Sequence, residues 1–484
     1  MSSILRSGAV MAAGTAVSRL TGFLRSTLLV VALGGGLHAD LFNIANTVPN
    51  MLYILLAGGV FNAVLVPQLI RTMKSDPDGG EAYAQRVVTA AMLFLGGATV
   101  LLVLTAPWLM GLLLDADYSS PGLSPHRESV IAFARFCLPQ VFFYGMFVLV
   151  GQILNARGRF GPMMWAPIAN NVVAVSVLGL YLYLFGQARG DDLCGPFTGS
   201  QEMLLGLGST LGIVAQFAVL VPFLRAAGFH FRPRFDFRGV GLGHTLRLGL
   251  WTVGFVIVNQ IAYAAVVRLA SGGTTRGVTE MLGSCPTGGL SDYGTGYTVY
   301  SYAFLLVMVP HSIVTVSLAT AMLPALSAQA RDADHAALRR TLSETVRLVL
   351  TVIIPVAALL PVIAPALAKL VWGYGAARES YELFVPTLAL FGVGLLAFTM
   401  HYLMLRGFYA LELNREVFFI QIPVAAVNVI IAGWLVVETP AVDTAPALVV
   451  GYTAAYAVGS LLTYLSLRRR LGGLETGALA RFLA

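Results

Sequence analysis

The run "GTAVSRLTGFLRSTLLVVAL", residues 14–33, carries two arginines, Arg19 and Arg25, inside the first long apolar segment of the chain. Its length suffices to cross a hydrocarbon core of about 30 Å as a helix. An arginine near the middle of a bilayer is costly and normally faces a cavity or a partner. Arg19 is roughly 12 residues from either end of its segment, too deep to snorkel with ease. The run therefore predicts a membrane helix that holds fixed positive charge on the inside of a protein.

Working outward, twelve such segments are expected, at 8–33, 41–70, 84–114, 131–155, 163–186, 202–225, 245–270, 297–326, 345–371, 383–406, 417–437 and 446–467. Hydrophobic residues make up 57% and charged ones 11%, with a mean hydropathy of +0.80, well away from soluble proteins. Only helices and closed barrels satisfy their backbone in lipid, and the short alternating strands of a barrel are absent from the pattern. The fold class is all-α, with about twelve transmembrane helices. The N-terminal "MSSILRSGAVMAAG" runs straight into an arginine-bearing span without a cleavage site, so it is not read as a signal peptide.

With a cytoplasmic N-terminus, 21 of the 30 Lys and Arg fall in cytoplasmic segments. Only Arg127, Arg189, Arg276 and Arg378 then face the other side. That bias places both termini in the cytoplasm. The basic balance (pI about 9.4) is accounted for by topology and anionic headgroups, and no nucleic-acid partner is expected. Cys137 falls in the fourth span and reads as a packed apolar residue. Cys194 and Cys285 fall in the two longest outer loops, where either a disulfide or two unpaired thiols is compatible with the sequence. Neither a metal site nor a cofactor is expected, because no Cys/His cluster has ligand spacing.

Landmarks recur roughly 250 residues apart. "LVPQL" at Pro67 and "MLPAL" at Pro324 each read as the end of a helix. "LPQVFFYGMF" at Pro139 and "VPTLALFGVG" at Pro386 each read as an opening. Arg157-Gly158 pairs with Arg406-Gly407, and "APIANNV" at Pro167 with "IPVAAVNV" at Pro423. Four matches in one order predict two parallel six-helix repeats, 1–228 and 248–484, joined by a basic linker at 229–247. Parallel repeats are a transporter signature with the substrate site between the halves.

Substrate-binding candidates follow from polar residues at membrane depth. Arg19 and Arg25 lie about 120° apart on a helix with Gly22 between them, so they are expected to flank one groove. Guanidinium forms bidentate, charge-assisted bonds and suits pyrophosphate; pairing with neighbouring carbonyls is the alternative. Arg268 in "NQIAYAAVVRLASG" lies 243 residues after Arg25 and is a third candidate, or a residue that snorkels at its span's outer end. Asn43, Asn46 and Asn50, at i, i+3 and i+7, share one face that lines a cavity or bonds another helix. Asn259 and Gln260 have the same two readings. Asp40 reads as an N-cap and His311 as packed rather than relaying. No carboxylate occupies the middle of a span, which disfavours a carboxylate proton relay. With no phosphate loop or nucleophile elbow, the chain is not expected to be an enzyme.

"SRLTGFLR…ALGGGLHADLFNIANTVPNMLYILLAGGVFNAVLVPQL" resembles the N-terminal signature of the MurJ (MviN) family, lipid II flippases of the multidrug/oligosaccharidyl-lipid/polysaccharide exporter superfamily. Ser18-Arg19, Gly22-Phe23, Arg25, Asp40, Pro49-Asn50 and Pro67 are in register with it. The resemblance implies two six-helix lobes around a positively charged cavity in the bacterial cytoplasmic membrane. It also implies alternating-access export of the undecaprenyl-pyrophosphate-linked peptidoglycan precursor. Pyrophosphate recognition would fall on Arg19 and Arg25. Implied partners are that lipid-linked precursor, membrane lipids and cell-wall synthesis proteins. The sequence departs from the family pattern at Ser26, Tyr53, Gly58 and Leu305, where many members carry charge. Many members also have two further C-terminal helices, and "GLETGALARFLA" stands where a thirteenth would begin. Export of another polyprenyl-linked glycan or a small molecule on the same fold, and a non-transporting scaffold for cell-wall assembly, are the alternatives. The missing cavity carboxylates count against cationic drugs, and the deep arginines against a scaffold.

Overall fold

The structure, a computed structural model, describes residues 2–56, 80–236, 242–280, 285, 293–475 and 477. Among them the regular structure is helical, with no strand. Eleven helices or helix pairs are long and apolar enough to cross a membrane. They coincide with eleven of the twelve expected segments. The remaining one, 41–70, is described only to residue 56, so Gly58 and the Pro67 landmark lie outside the described residues.

The chain divides into two compact units. The first comprises Met1–Ile257, Met281–Cys285 and Gly375–Ala377; the second comprises Val258–Glu280, Pro286–Tyr374 and Arg378–Ala484. Unit 1 contains α1 (Ser2–Leu33), α2 (Leu37–Ile54), α3 (Glu81–Leu104), α4 (Ala106–Leu113), α5 (Ser124–Cys137), α6 (Gln140–Ala156), α7 (Gly161–Phe185) and α8 (Gly199–Ala226). It also holds the start of α9 (Leu242–Glu280), whose second part, from Val258, belongs to unit 2. Unit 2 continues with α10 (Tyr297–Pro310), α11 (Val316–Arg331), α12 (His335–Trp372), α13 (Phe384–Ala410), α14 (Asn414–Glu438) and α15 (Thr444–Leu471).

Because lipid tails are as apolar as leucine, these helices associate by close packing and interhelical hydrogen bonds rather than by escape from water. In unit 1, α3 buries Ala84, Val87, Val88, Ala91 and Leu95, a helical stripe, against Met146, Val150, Ile153 and Leu154 of α6 and Leu220 of α8. Gly145 lets Leu95 approach the α6 backbone. In unit 2, glycines carry the same work: Gly394 receives Tyr452, Gly407 receives Leu467, and Gly451 lies against Ala432. Around them Tyr300, Phe304, Phe391, Phe398, Tyr452 and Tyr456 form one aromatic cluster.

Local readings change in three places. Pro324 does not end its helix; it sits inside α11, which runs on to Arg331. One proline removes a single backbone bond, which a packed helix tolerates in a membrane. Asp40 is not an N-cap: α2 starts after Gly36, four residues earlier than that role requires, and Asp40 is fully buried in its first turn. The helix bearing Arg268 runs on to Glu280, ten residues beyond the expected end of its segment at 270.

Candidate functional site

In unit 1, α1 packs on α7 along a polar seam. Gly14 lies against the Trp165 indole, and the buried Asn171 amide donates to the Ser18 carbonyl and to Thr21 Oγ1, both at 2.9 Å. Gly22 faces the same amide, with space for ordinary contact only. The approach that Gly22 admits is therefore that of α7. Arg25 comes seven residues after Ser18 and continues this seam one turn further on. Its guanidinium lies within electrostatic reach of Tyr144 on α6, whose ring packs 4.7 Å from that of Tyr53 on α2. Arg19, one residue past Ser18, is turned about 100° from the seam and is exposed, between the exposed Val17 and Leu20. The two arginines thus do not share one groove floored by Gly22, because α7 occupies that direction. Neither makes a hydrogen bond or ion pair among the described residues.

The asparagine stripe of α2 divides along its length. Asn43 is buried, Asn46 is half-buried and accepts from Gln140 Nε2 of α6 at 3.0 Å, and Asn50 is exposed. In unit 2, Asn259 Oδ1 accepts from Gln421 Nε2 of α14 at 2.9 Å, an interhelical bond, while the neighbouring Gln260 Oε1 is buried without one among the described residues. Arg268, on the same helix, is half-buried. His311 opens a π-helical turn, His311–Thr315, directly after Pro310. Its Nδ1 lies 3.0 Å from Thr399 Oγ1, and its ring sits between those of Phe398 and Tyr402.

A second cluster of unit 1 gathers around the 186–198 loop. Cys194 and Cys285 form a disulfide with a Cα–Cα distance of 5.4 Å. Two histidines hold the same loop: His126 Nε2 donates to the Cys194 carbonyl at 2.7 Å and His38 Nδ1 to the Gly195 carbonyl at 2.8 Å. The His38 ring stacks on Phe197 at 3.6 Å. Burial takes the His38 pKa down to about 4, against the bond to Gly195 and the charge of Asp192, which act the other way; the nearby His126 adds to the lowering. Cys137 is a buried free thiol.

Sequence reasoning missed Asn171, Gln140 and Gln421, the donors that engage the polar stripes. The signal was an amide within an apolar span, as in the Asn170-Asn171 pair of "APIANNV". Among the described residues, no group of three or more His, Cys, Asp or Glu is placed to hold a metal ion.

Residues 29–484 match the family model described as lipid II flippase MurJ; the match begins after Arg19 and Arg25. A "Probable lipid II flippase MurJ" of Rhizobium meliloti is 25% identical over 440 residues, 89% of this chain and 75% of that protein. The "Lipid II flippase MurJ" of Burkholderia cenocepacia is 25% identical over 470 residues, 94% of this chain and 82% of that one. Among solved structures, a lipid II flippase MurJ in an inward closed conformation superposes with a TM-score of 0.73 at 16% identity, covering 98% of this chain and 92% of that one. An inward-facing multidrug resistance MATE transporter of the MOP superfamily reaches 0.69 at 16% identity, covering 95% and 96%. At these identities the structural likeness concerns the fold.

Proposed function

The chain belongs to the MurJ family of lipid II flippases, and from that premise we propose that Arg19, Arg25 and Arg268 engage the pyrophosphate of its cargo. As a member of that family it is a multi-pass protein of the cytoplasmic membrane that flips lipid II, and its work is transport rather than catalysis. The observation that carries the arginine reading is the state of α1: two guanidinium groups inside a membrane span, neither neutralised by a carboxylate among the described residues. Uncompensated charge at that depth is costly unless an anion is bound there during the cycle. A pyrophosphate offers such an anion, and its paired oxygens match the fork of a guanidinium.

Arg19 and Arg25 have distinct surroundings. Arg19 is exposed and would meet the anion as it arrives. Arg25, beside the Tyr144–Tyr53 pair, would hold it. Asn43, Asn46, Asn50 and Asn259 set the polar lining in this reading, with Asn46 and Asn259 oriented by Gln140 and Gln421. The cycle is alternating access, in which the repeats 1–228 and 248–484 move about the basic linker 229–247. Both termini are cytoplasmic by the distribution of Lys and Arg, and the headgroup is carried from the cytoplasmic side outward.

The test is growth of a strain depleted of its own lipid II flippase, with lipid II on the outer leaflet measured directly. Arg19→Ala or Arg25→Ala removes charge-assisted bonds worth about 1.5–3 kcal/mol each, roughly a 10- to 150-fold loss of cargo affinity. Neither variant should support growth at normal membrane levels, and Arg→Lys should restore it in part. Growth of both alanine variants at wild-type expression would overturn the pyrophosphate assignment. Arg268→Ala tests the third contact in the same assay.

A further inference from the structure

In unit 2, α14 and α15 run antiparallel and touch closely where Gly451 meets Ala432 and Gly459 meets Val424. Past Gly459 no further glycine occurs before the helix ends at Leu471. α15 presents Leu462, Leu465, Ser466 and Arg469 on one face, and α14 presents Ile420 and Glu416. A cleft of about 550 Å³ is lined by these residues and Arg470. The two charged arginines of the cleft differ. Arg470 is clamped by both carboxylate oxygens of Glu416. Arg469 makes no hydrogen bond or ion pair among the described residues, and neither does the Ser466 hydroxyl.

We propose that this cleft binds the headgroup of an anionic diacyl phospholipid, its phosphate on Arg469 and Ser466 and its acyl chains on the leucine wall. The lining selects this class of ligand. A free inorganic anion would use Arg469 but gain nothing from Ile420, Leu462 and Leu465. A zwitterionic lipid would cover the wall, yet its own cation would oppose the basic end of α15, where Arg468, Arg469 and Arg470 follow one another. An anionic lipid satisfies both halves, as basic pockets between membrane helices commonly do. The Arg470–Glu416 pair neutralises one cation and leaves a net single charge to match one phosphodiester. Leu461 and Phe419, both more than half exposed, continue the apolar surface away from the cleft along the path an acyl chain would take.

The full-length protein, purified in detergent and stripped of lipid, is titrated with dioleoyl-phosphatidylglycerol and with dioleoyl-phosphatidylcholine, and bound lipid is read by native mass spectrometry. The expected result is at least a tenfold preference for phosphatidylglycerol. Arg469→Gln should bring the preference below twofold, Arg469→Lys should keep most of it, and Arg340→Gln, an exposed cation on α12, should leave it unchanged. Melting without lipid confirms that each variant is folded. Equal binding of the two lipids, or an Arg469→Gln protein that still prefers phosphatidylglycerol tenfold, overturns the proposal. Millimolar inorganic phosphate is the competing arm: if it displaces phosphatidylglycerol stoichiometrically, the site is one for free phosphate and the lipid assignment is wrong. The readout involves no transport, so its failure leaves the pyrophosphate assignment of Arg19 and Arg25 intact.

Discussion

Removing the Cys194–Cys285 disulfide with a Cys194→Ser/Cys285→Ser variant perturbs a link whose size can be worked from its place in the chain. The bridge spans a sequence separation of 91 residues. In a fully flexible unfolded chain, closing a loop of that length corresponds to about 4.6 kcal/mol of entropy at 25 °C. This chain does not unfold to that state, because α8 and α9 lie within the loop and helices persist in lipid or detergent. Leaving those 28- and 39-residue helices out of the loop reduces its effective length to roughly two dozen residues, for which the same relation gives about 3.5 kcal/mol. The variant should therefore lose about 3–5 kcal/mol. The histidine bonds to the Cys194 and Gly195 carbonyls use backbone atoms and survive the substitution. The assay is denaturant unfolding in detergent with and without a thiol reductant. Reduced wild type should match the double-serine variant, and the variant should ignore the reductant, since Cys137 has no partner left. Equal unfolding midpoints for oxidised wild type and variant would refute the reasoning, as would the lack of a 194–285 crosslinked peptide under non-reducing conditions.

Gly375 has a φ of +58°, and a Cβ there would collide with the Val31 carbonyl oxygen, so Gly375→Ala should destabilise unit 1 by roughly 1–3 kcal/mol, read as a lowered melting temperature. His38 has a folded pKa of about 4 against an ordinary 6.5, so the unfolded chain takes up its proton first as the pH falls. Its contribution is complete above pH 6.5 and is lost as the pH falls to about 4, a change of order 3 kcal/mol; His38→Phe, which keeps the ring on Phe197, should flatten that part of the stability–pH profile. A profile identical to wild type would exclude His38 as the titrating group.

Much of the architecture was legible along the chain because hydropathy is a local sum. Twenty apolar residues in a row demand a helix whatever surrounds them, so eleven spans were placed by composition alone and lie where the structure has helices. The depth of Arg19 and Arg25 within the first span is a property of the same kind. The MurJ resemblance also needed only the order of residues, and the family match agrees with it.

What the chain order leaves undecided is which way each helix is turned. In a soluble helix the polar side marks the outside, but a membrane helix is apolar toward lipid and toward its neighbours, so periodicity carries little orientation. Only packing turned Gly22 toward Asn171 and left Arg19 about 100° away from that seam. The same holds for Asn46 meeting Gln140 and Asn259 meeting Gln421, where each amide was visible in the sequence and its partner was not. Cys194 and Cys285 were compatible in sequence with either a disulfide or two free thiols, and the folded loop brought their Cα atoms to 5.4 Å. The α14–α15 cleft has no counterpart in any single segment, since residues of both helices line it. The sequence by itself determined the helices and their charges; contacts between helices, which depend on rotation and close approach, were decided by the tertiary structure.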